Sequence, residues 1–208
     1  MLKIDLKMER KDLYQPPRDS FIEVIVPAMT FLAIDGHGDP NTSEDYRNAV
    51  EALFAMSYAT KFGSKRELDR DYVVLPLEGL WSAEDPAAFV LGDKSQWSWT
   101  MMIRQPDWVP VAMIDQARRR AQEKQLPAAS LVRRETFEEG LVVQTLHVGS
   151  YDAEGPVIDQ LHNAYLPAHD LVMAGKHHEI YLNDMRKTDA AKLRVVIRQP
   201  VARQEMAP

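Results

Sequence analysis

A four-residue string occurs twice in this chain. Ile103-Arg104-Gln105-Pro106 returns as Ile197-Arg198-Gln199-Pro200, at an offset of 197 − 103 = 94. A second anchor lies upstream of each copy. Leu32 to Asp39 reads as a strand, then glycine, then an aspartate before a helix. Leu146 to Asp152 reads the same way, and Gly149 matches Gly36 at an offset of 149 − 36 = 113. Between the anchors each half has strand, helix, strand, strand, and each middle strand carries a glutamate, Glu78 or Glu179. Such a repeat constrains the fold more than local propensity does, because each copy is one supersecondary unit. A single βαββ unit is too small to cover both faces of its sheet. Two copies related by a pseudo-twofold solve this. Helices then cover one face of a joined antiparallel sheet, and the other face curves into a cleft, a common kind of place for a ligand. The expectation is one α/β (α+β) domain over residues 1–208, with half one at about 20–106 and half two at about 130–200.

Periodicity places the elements. Residues 1–20 read as a charged, irregular arm. Phe21 to Asp35 reads as strand, broken at Pro27. Ser43 is placed as a helix N-cap with Glu44 and Asp45 in the positive first turn, and Gly63 marks the end of that helix. Strands are expected at Tyr72–Leu77, Gln96–Arg104, Leu131–Phe137, Leu141–Val148, His177–Leu182 and Leu193–Ile197. Residues 82–95 read as a loop, and a Glu-Gly turn precedes Leu141. Pro110 opens a second helix with Val111, Ile114, Ala117 and Ala121 on one stripe. Gly155-Pro156 opens a third with Ile158, Leu161 and Tyr165 on one side, and the tail after Pro200 reads as frayed.

Composition excludes several classes of function. The chain has no cysteine, which rules out disulfides, thiolate zinc sites and a Cys nucleophile. This fits a reducing, cytoplasmic compartment. The first residues lack the apolar core of a signal peptide, and no stretch approaches the roughly 20 apolar residues of a membrane span. Net charge is −6, and the longest basic block is Arg118-Arg119-Arg120, read as a solvated helix face. No nucleic-acid footprint is present, and a neutral or cationic ligand suits this charge better than an anionic one. His177 and His178 are adjacent on a strand and point to opposite faces, and the other histidines lack ligand spacing, so no metal is expected. Serine-nucleophile and phosphate-loop motifs are absent, and no cofactor is expected.

Strand alternation selects the candidate site. His177, Glu179, Tyr181 and Asn183 share one face, while His178, Ile180 and Leu182 share the other. The apolar set is expected under the helices and the polar set in the cleft. A partly buried carboxylate must be paired or hydrogen-bonded; the alternative is an ordinary exposed strand glutamate. Glu78 occupies the first half's equivalent strand, so the repeat would bring Glu78 and Glu179 to the cleft from opposite sides. Two carboxylates in an apolar pocket can split their roles into base and acid. The alternative is that Glu78 caps the turn at Gly79. Trp97, Trp99 and Met101 alternate on one face and suit a flat ligand, or form an ordinary core stripe. Trp81, Tyr151 and Tyr165 are further candidates for the wall.

Several segments together carry a family resemblance: Asp35-Gly36-His37-Gly38-Asp39-Pro40-Asn41, Val50-Glu51-Ala52-Leu53, Pro76-Leu77-Glu78-Gly79-Leu80-Trp81, Trp99-Thr100-Met101-Met102-Ile103-Arg104-Gln105-Pro106 and His177-His178-Glu179-Ile180-Tyr181-Leu182-Asn183-Asp184. The chain resembles the GyrI-like small-molecule-binding proteins, whose fold is shared with the effector-binding domains of multidrug-responsive activators. The resemblance implies two tandem βαββ motifs, aromatic walls and a central glutamate, here Glu179, which in drug-sensing relatives meets flat cationic ligands. The chain is more similar to a stand-alone branch that hydrolyses the cyclopropane of DNA-alkylating natural products with carboxylates and aromatics. Ser82 departs from that branch, where a second Trp would follow Trp81. The resemblance implies a hydrolase or binder of a hydrophobic or cationic small molecule with Glu179 at its centre, and the repeat and strand alternation add Glu78 and Tyr181 as candidate reacting groups. It leaves open a sequestering or sensing protein, or a DNA gyrase inhibitor-like interaction protein.

Overall fold

The computed structural model describes residues 3–84 and 93–204. In chain order the elements are β1 (Lys3–Ile4), α1 (Leu6–Glu9), α2 (Lys11–Tyr14), β2 (Ile22–Val26), β3 (Met29–His37), α3 (Glu44–Glu67), β4 (Asp71–Tyr72), β5 (Leu77–Ala83), β6 (Trp97–Gln105), α4 (Val111–Glu123), β7 (Arg133–Phe137), β8 (Gly140–Val148), α5 (Gly155–Gln160), α6 (Leu166–Ala168), β9 (Leu171–Met173), β10 (His177–Tyr181) and β11 (Arg194–Arg203). Contacts divide them into two units. The first holds residues up to Glu9 and Met29–Phe137; the second holds Arg10–Ala28 and Glu138 onward.

The first unit has an antiparallel sheet in the order β5-β6-β3-β7. α3 crosses the face that carries Trp81, Trp99 and Gln105. Gln105 Nε2 donates to Ser57 Oγ of α3 at 3.1 Å, and the Tyr46 ring of α3 meets Trp81 and Trp99. Ser43 caps α3 as expected, its Oγ accepting from Tyr46 N at 3.2 Å. Gly63 does not end this helix, which continues to Glu67. Its missing side chain instead lets α4 approach: a Cβ there would lie 3.2 Å from Met113 Cγ. Met113, Ile114, Ala117 and Ala121 form the buried stripe of α4, while Val111, in its first turn, is exposed.

The second unit has the order β2-β8-β11-β10, with β9 paired to the far end of β11. Its core is Val143, Leu161, Leu166, Leu171, Val195, Ile197 and Val201, where the helical segment from α5 through the π-helical turn Leu161–Tyr165 to α6 covers one sheet face. Residues 10–18 are not an irregular arm. Leu13 and Tyr14 of α2 are fully buried, and Pro17 O accepts hydrogen bonds from Leu146 N at 3.0 Å and Thr145 Oγ1 at 3.3 Å. β11 also runs past Pro200, because β9 supplies hydrogen-bonding partners as far as Arg203. Of the expected loop at 82–95, Ser82 and Ala83 belong to β5, and 85–92 lie outside the described residues.

Both units therefore contain the βαββ order read from the repeat, and the strand registers quantify it. Leu32 faces Ile103 in the first unit, and Thr145 faces Ile197 in the second. The first strands are thus offset by 145 − 32 = 113, as Gly36 and Gly149 require. Gly36 has a packing role: a Cβ there would lie 2.0 Å from Trp99 Cη2, in overlap with the ring. Gly140 has a backbone role, opening β8 at φ +70, a left-handed conformation that glycine adopts without strain. Among the described residues no helix is long and apolar enough to cross a membrane.

Candidate functional site

Directly opposed residues of an antiparallel pair point to the same face. Glu179 faces Ile197 and Tyr181 faces Val195, and both partners belong to the core beneath Leu161 and Leu166. The polar set of β10 therefore lies on the helix-covered face, the reverse of the expectation. The reason is on the other face of β10, where His178 is paid for by a buried carboxylate.

On the helix-covered face a polar group assembles around Glu179. Its Oε2 accepts from Tyr181 Oη at 2.7 Å, and its Oε1 lies 3.3 Å from His177 Nε2. It also shares a side-chain hydrogen bond with Glu154, from the turn that leads into α5. Burial pushes the Glu179 carboxyl up. The hydrogen bond and charge of His177, the Tyr181 hydroxyl and the Glu154 bond outweigh burial and hold it below the usual carboxylate range. Tyr151 stands edge-on to Tyr181 with ring centroids 5.5 Å apart. Burial, then the charges of Glu154, Glu179 and Asp184, push its phenol up to about 12, so it stays neutral. The His162 ring lies 6.4 Å from that of His177, and His162 Nε2 is 3.2 Å from Gln199 Oε1. Burial and the nearby His177 lower the His162 pKa. Tyr165 packs elsewhere, against Phe21 at 5.1 Å and stacked on His169 at 3.9 Å.

The opposite face of the second unit holds a buried charge cluster. Glu139 is only 1% exposed; its Oε1 is 2.9 Å from His178 Nδ1 and its Oε2 accepts from Arg198 Nη1 at 2.7 Å. Arg198 also donates through Nε to Gln144 Oε1 at 2.9 Å and through Nη2 to Leu13 O at 2.8 Å. Gln144 Nε2 donates in turn to Asp12 O at 2.6 Å. Burial raises the Glu139 pKa, but the charges and hydrogen bonds of His178 and Arg198 override it and bring the carboxyl to about 2. The cluster pins α2 onto the sheet and fixes β10 from behind.

In the first unit the aromatic candidates form one group under α3. Trp97 meets Trp81 edge-on at 5.6 Å, and Tyr46 meets Trp99 at 5.3 Å and Trp81 at 6.3 Å. Trp99, Trp81 and Met101 are buried. Among the described residues Trp99 Nε1 has no hydrogen-bond partner. Glu78 is fully buried too, but it faces Met102, on the sheet face away from Trp81, Trp99 and Met101. It caps no turn, because Gly79 lies within β5, where a Cβ would stand 2.9 Å from Trp81 Nε1 and 3.2 Å from Met101 Sδ.

The registers also correct the pairing of the two glutamates. Leu77 faces Ile103 as Glu179 faces Ile197, so the middle strands are offset by 179 − 77 = 102. The repeat equivalent of Glu179 is Leu77, and Glu78 belongs to the opposite face. One residue of register reverses every side chain of a strand. The acidic partner that the second unit does bring to Glu179 is Glu154, just before the expected helix start at Gly155-Pro156 and not singled out from the sequence. Glu139 was read only as part of the Glu-Gly turn before Leu141. Arg198 carried a usable signal, since a charged residue inside Val195-Val196-Ile197 must find a partner when buried. Among the described residues no three acidic or histidine side chains cluster as a metal site would need.

Residues 21–202 match the GyrI-like small molecule binding domain. A crystal structure described as an uncharacterized conserved protein from Listeria innocua is 39% identical, with a TM-score of 0.87, covering 96% of this chain and 100% of that one. A hydrolase from Listeria innocua is 37% identical, with a TM-score of 0.85, covering 97% of this chain and 100% of that one. At 10% identity the C-terminal domain of EcmrR shares the fold, with a TM-score of 0.58, covering 88% of this chain and 98% of that one. Among curated proteins none matches the chain. With the family match spanning most of its length, and the βαββ repeat in both units, this chain belongs to the GyrI-like small-molecule-binding domain family.

Proposed function

We propose that this protein is a small-molecule hydrolase whose reacting groups are Glu179 and Glu154, with Tyr181 positioning Glu179. The observation that carries the reading is the shielded Glu179 carboxyl, which accepts from Tyr181 Oη at 2.7 Å and lies 3.3 Å from His177 Nε2, with Glu154 beside it. Two carboxyl groups bond only with a proton between them. Glu179 is held low, so we assign it as the base and its bonded partner Glu154 as the acid. The substrate class is a hydrophobic, neutral or cationic electrophile with a strained ring conjugated to a carbonyl, such as the cyclopropane of an alkylating toxin. Glu179 takes a proton from water as the water oxygen bonds to a ring carbon. The ring C–C bond breaks, and its electron pair moves to the carbonyl oxygen, which takes the proton of Glu154. The proton gained by Glu179 then passes to Glu154 through their shared bond. One water is added per turnover and the protein is regenerated. Tyr181 holds Glu179 in place, and neutral Tyr151 lends an aromatic edge. The Listeria innocua relatives named hydrolase support the reading, as does the resemblance to the cyclopropane-opening branch.

The test is mass spectrometry of a cyclopropane-containing alkylator incubated with substoichiometric protein. The expected product is a water adduct, about 18 mass units heavier, formed over many turnovers. Glu179→Gln and Glu154→Gln each lose about 10²–10⁴ in rate if they serve as base and acid. Compound that is retained unchanged would replace hydrolysis by sequestration. Full activity in either variant would remove that residue from the mechanism.

A further inference from the structure

α3 is a 24-residue helix with two unlike faces. Ala49, Ala52, Leu53, Met56, Ser57 and Thr60 are buried against its own unit. The outward face carries Glu51, Phe54, Tyr58, Phe62 and Lys65, spaced 3, 4, 4 and 3 residues apart. That is the spacing of a seam along which a second helix packs. Tyr58 is 47% exposed and Phe62 is 55% exposed. The three aromatic rings form a ladder, with centroids 6.5 Å apart at each step and planes 29° apart. Phe54 is half-buried and the other two rings are exposed, and a contiguous aromatic row of this kind marks an interaction surface.

The ends of the row identify the partner. Glu51 and Lys65 are each seven residues from Tyr58, and Phe54 and Phe62 are each four residues from it. The seam is therefore its own antiparallel complement about Tyr58. A second copy turned by a twofold at Tyr58 sets Glu51 against Lys65 twice, and Phe54 against Phe62 twice. Such a self-complementary patch is what an isologous dimer needs. Lys65 lies 3.7 Å from Asp71, whose carboxylate is held by the more buried Lys61, and the Lys65 side chain remains 53% exposed. A membrane-surface helix would instead show a predominantly basic polar face. We infer that this chain forms a twofold homodimer through the outward seam of α3, with Tyr58 on the axis. The inference does not depend on the hydrolytic reading.

The chain has no cysteine, which makes a direct test available. Helices packed about 8–10 Å apart bring facing Cα atoms within the range of a disulfide. The full-length Tyr58→Cys variant is therefore expected to oxidise to a covalent dimer, while a control with Gln122→Cys on α4 does not. Sedimentation equilibrium of the unmodified chain is expected to show a dimer. Glu51→Lys should weaken it about tenfold, since it sets like charges together at both ends. Adding Lys65→Glu to that variant should restore most of the loss. A chain that stays monomeric at every concentration would overturn the inference. So would a dimer indifferent to Glu51→Lys, a charge swap without rescue, or a Tyr58→Cys variant that cross-links no faster than the control.

Discussion

Replacing Glu139 by glutamine tests whether the buried charge cluster holds the second unit together. The substitution keeps the shape of the side chain and removes one charge. Arg198 and His178, both fully buried, then lose their shared carboxylate. The folded carboxyl titrates at about 2 instead of 4.5, which at 1.36 kcal/mol per pKa unit corresponds to roughly 3 kcal/mol. That agrees with the roughly 3–5 kcal/mol typical of breaking a buried ion pair by removing one member. Because the folded pKa is depressed, this stabilisation is fully present above 4.5 and fades as pH falls to about 2. Urea unfolding of both proteins, followed by far-ultraviolet circular dichroism across this range, should show a gap of about 3 kcal/mol near neutrality that closes in acid. The variant should also be cut faster by trypsin at Arg10, Lys11 and Arg18, since Arg198 loses the carboxylate that fixes it where it donates to Leu13 O. A gap below about 1 kcal/mol, no more than one ordinary hydrogen bond, or a gap independent of pH would refute the reasoning.

The two arginines of the repeat should respond oppositely to methionine. Arg198→Met breaks the cluster and should cost about 3–5 kcal/mol, whereas Arg104→Met should lose little or gain stability, since Arg104 Nε and Nη1 lack hydrogen-bond partners among the described residues and Phe31 stands where Arg198 has Gln144; equal losses in chemical denaturation would contradict this. Gly36→Ala should destabilise the first unit by about 1–3 kcal/mol and disturb tryptophan fluorescence, because the new methyl overlaps the Trp99 ring; an unchanged spectrum and stability would show that the ring moves freely. In the hydrolytic assay the acid limb of the rate profile should lie below 4.5, since Glu179 is held low and must be ionised to act; a limb well above it would exclude Glu179 as the base.

The sequence made the architecture legible because a duplicated unit leaves the same marks twice. Gly36 and Gly149, and the two Ile-Arg-Gln-Pro strings, fall on equivalent register positions, and Glu179 with Tyr181 was identified from strand alternation and the family resemblance. The Glu139 and Glu154 positions were not legible. Each precedes a glycine, and a Glu-Gly pair reads as an exposed turn until the chain around it is folded. The N-terminal segment misled for a similar reason, since its charges hide Leu13 and Tyr14, two isolated apolar residues with no periodic pattern.

By itself the sequence determined the βαββ repeat, the offsets of its first and last strands, and the face that Glu179 shares with Tyr181, because repeat spacing and the two-residue period of a strand are properties of the chain. Only the tertiary structure decided what each face meets. Burial of His178 depends on Glu139 and Arg198, whose side chains converge from 39 and 20 residues away. Glu179 therefore lies under the helical segment with Glu154. A single residue of register in β5 sends Glu78 to the opposite face from the repeat equivalent of Glu179. Long-range pairing energies, which no local pattern encodes, set both outcomes.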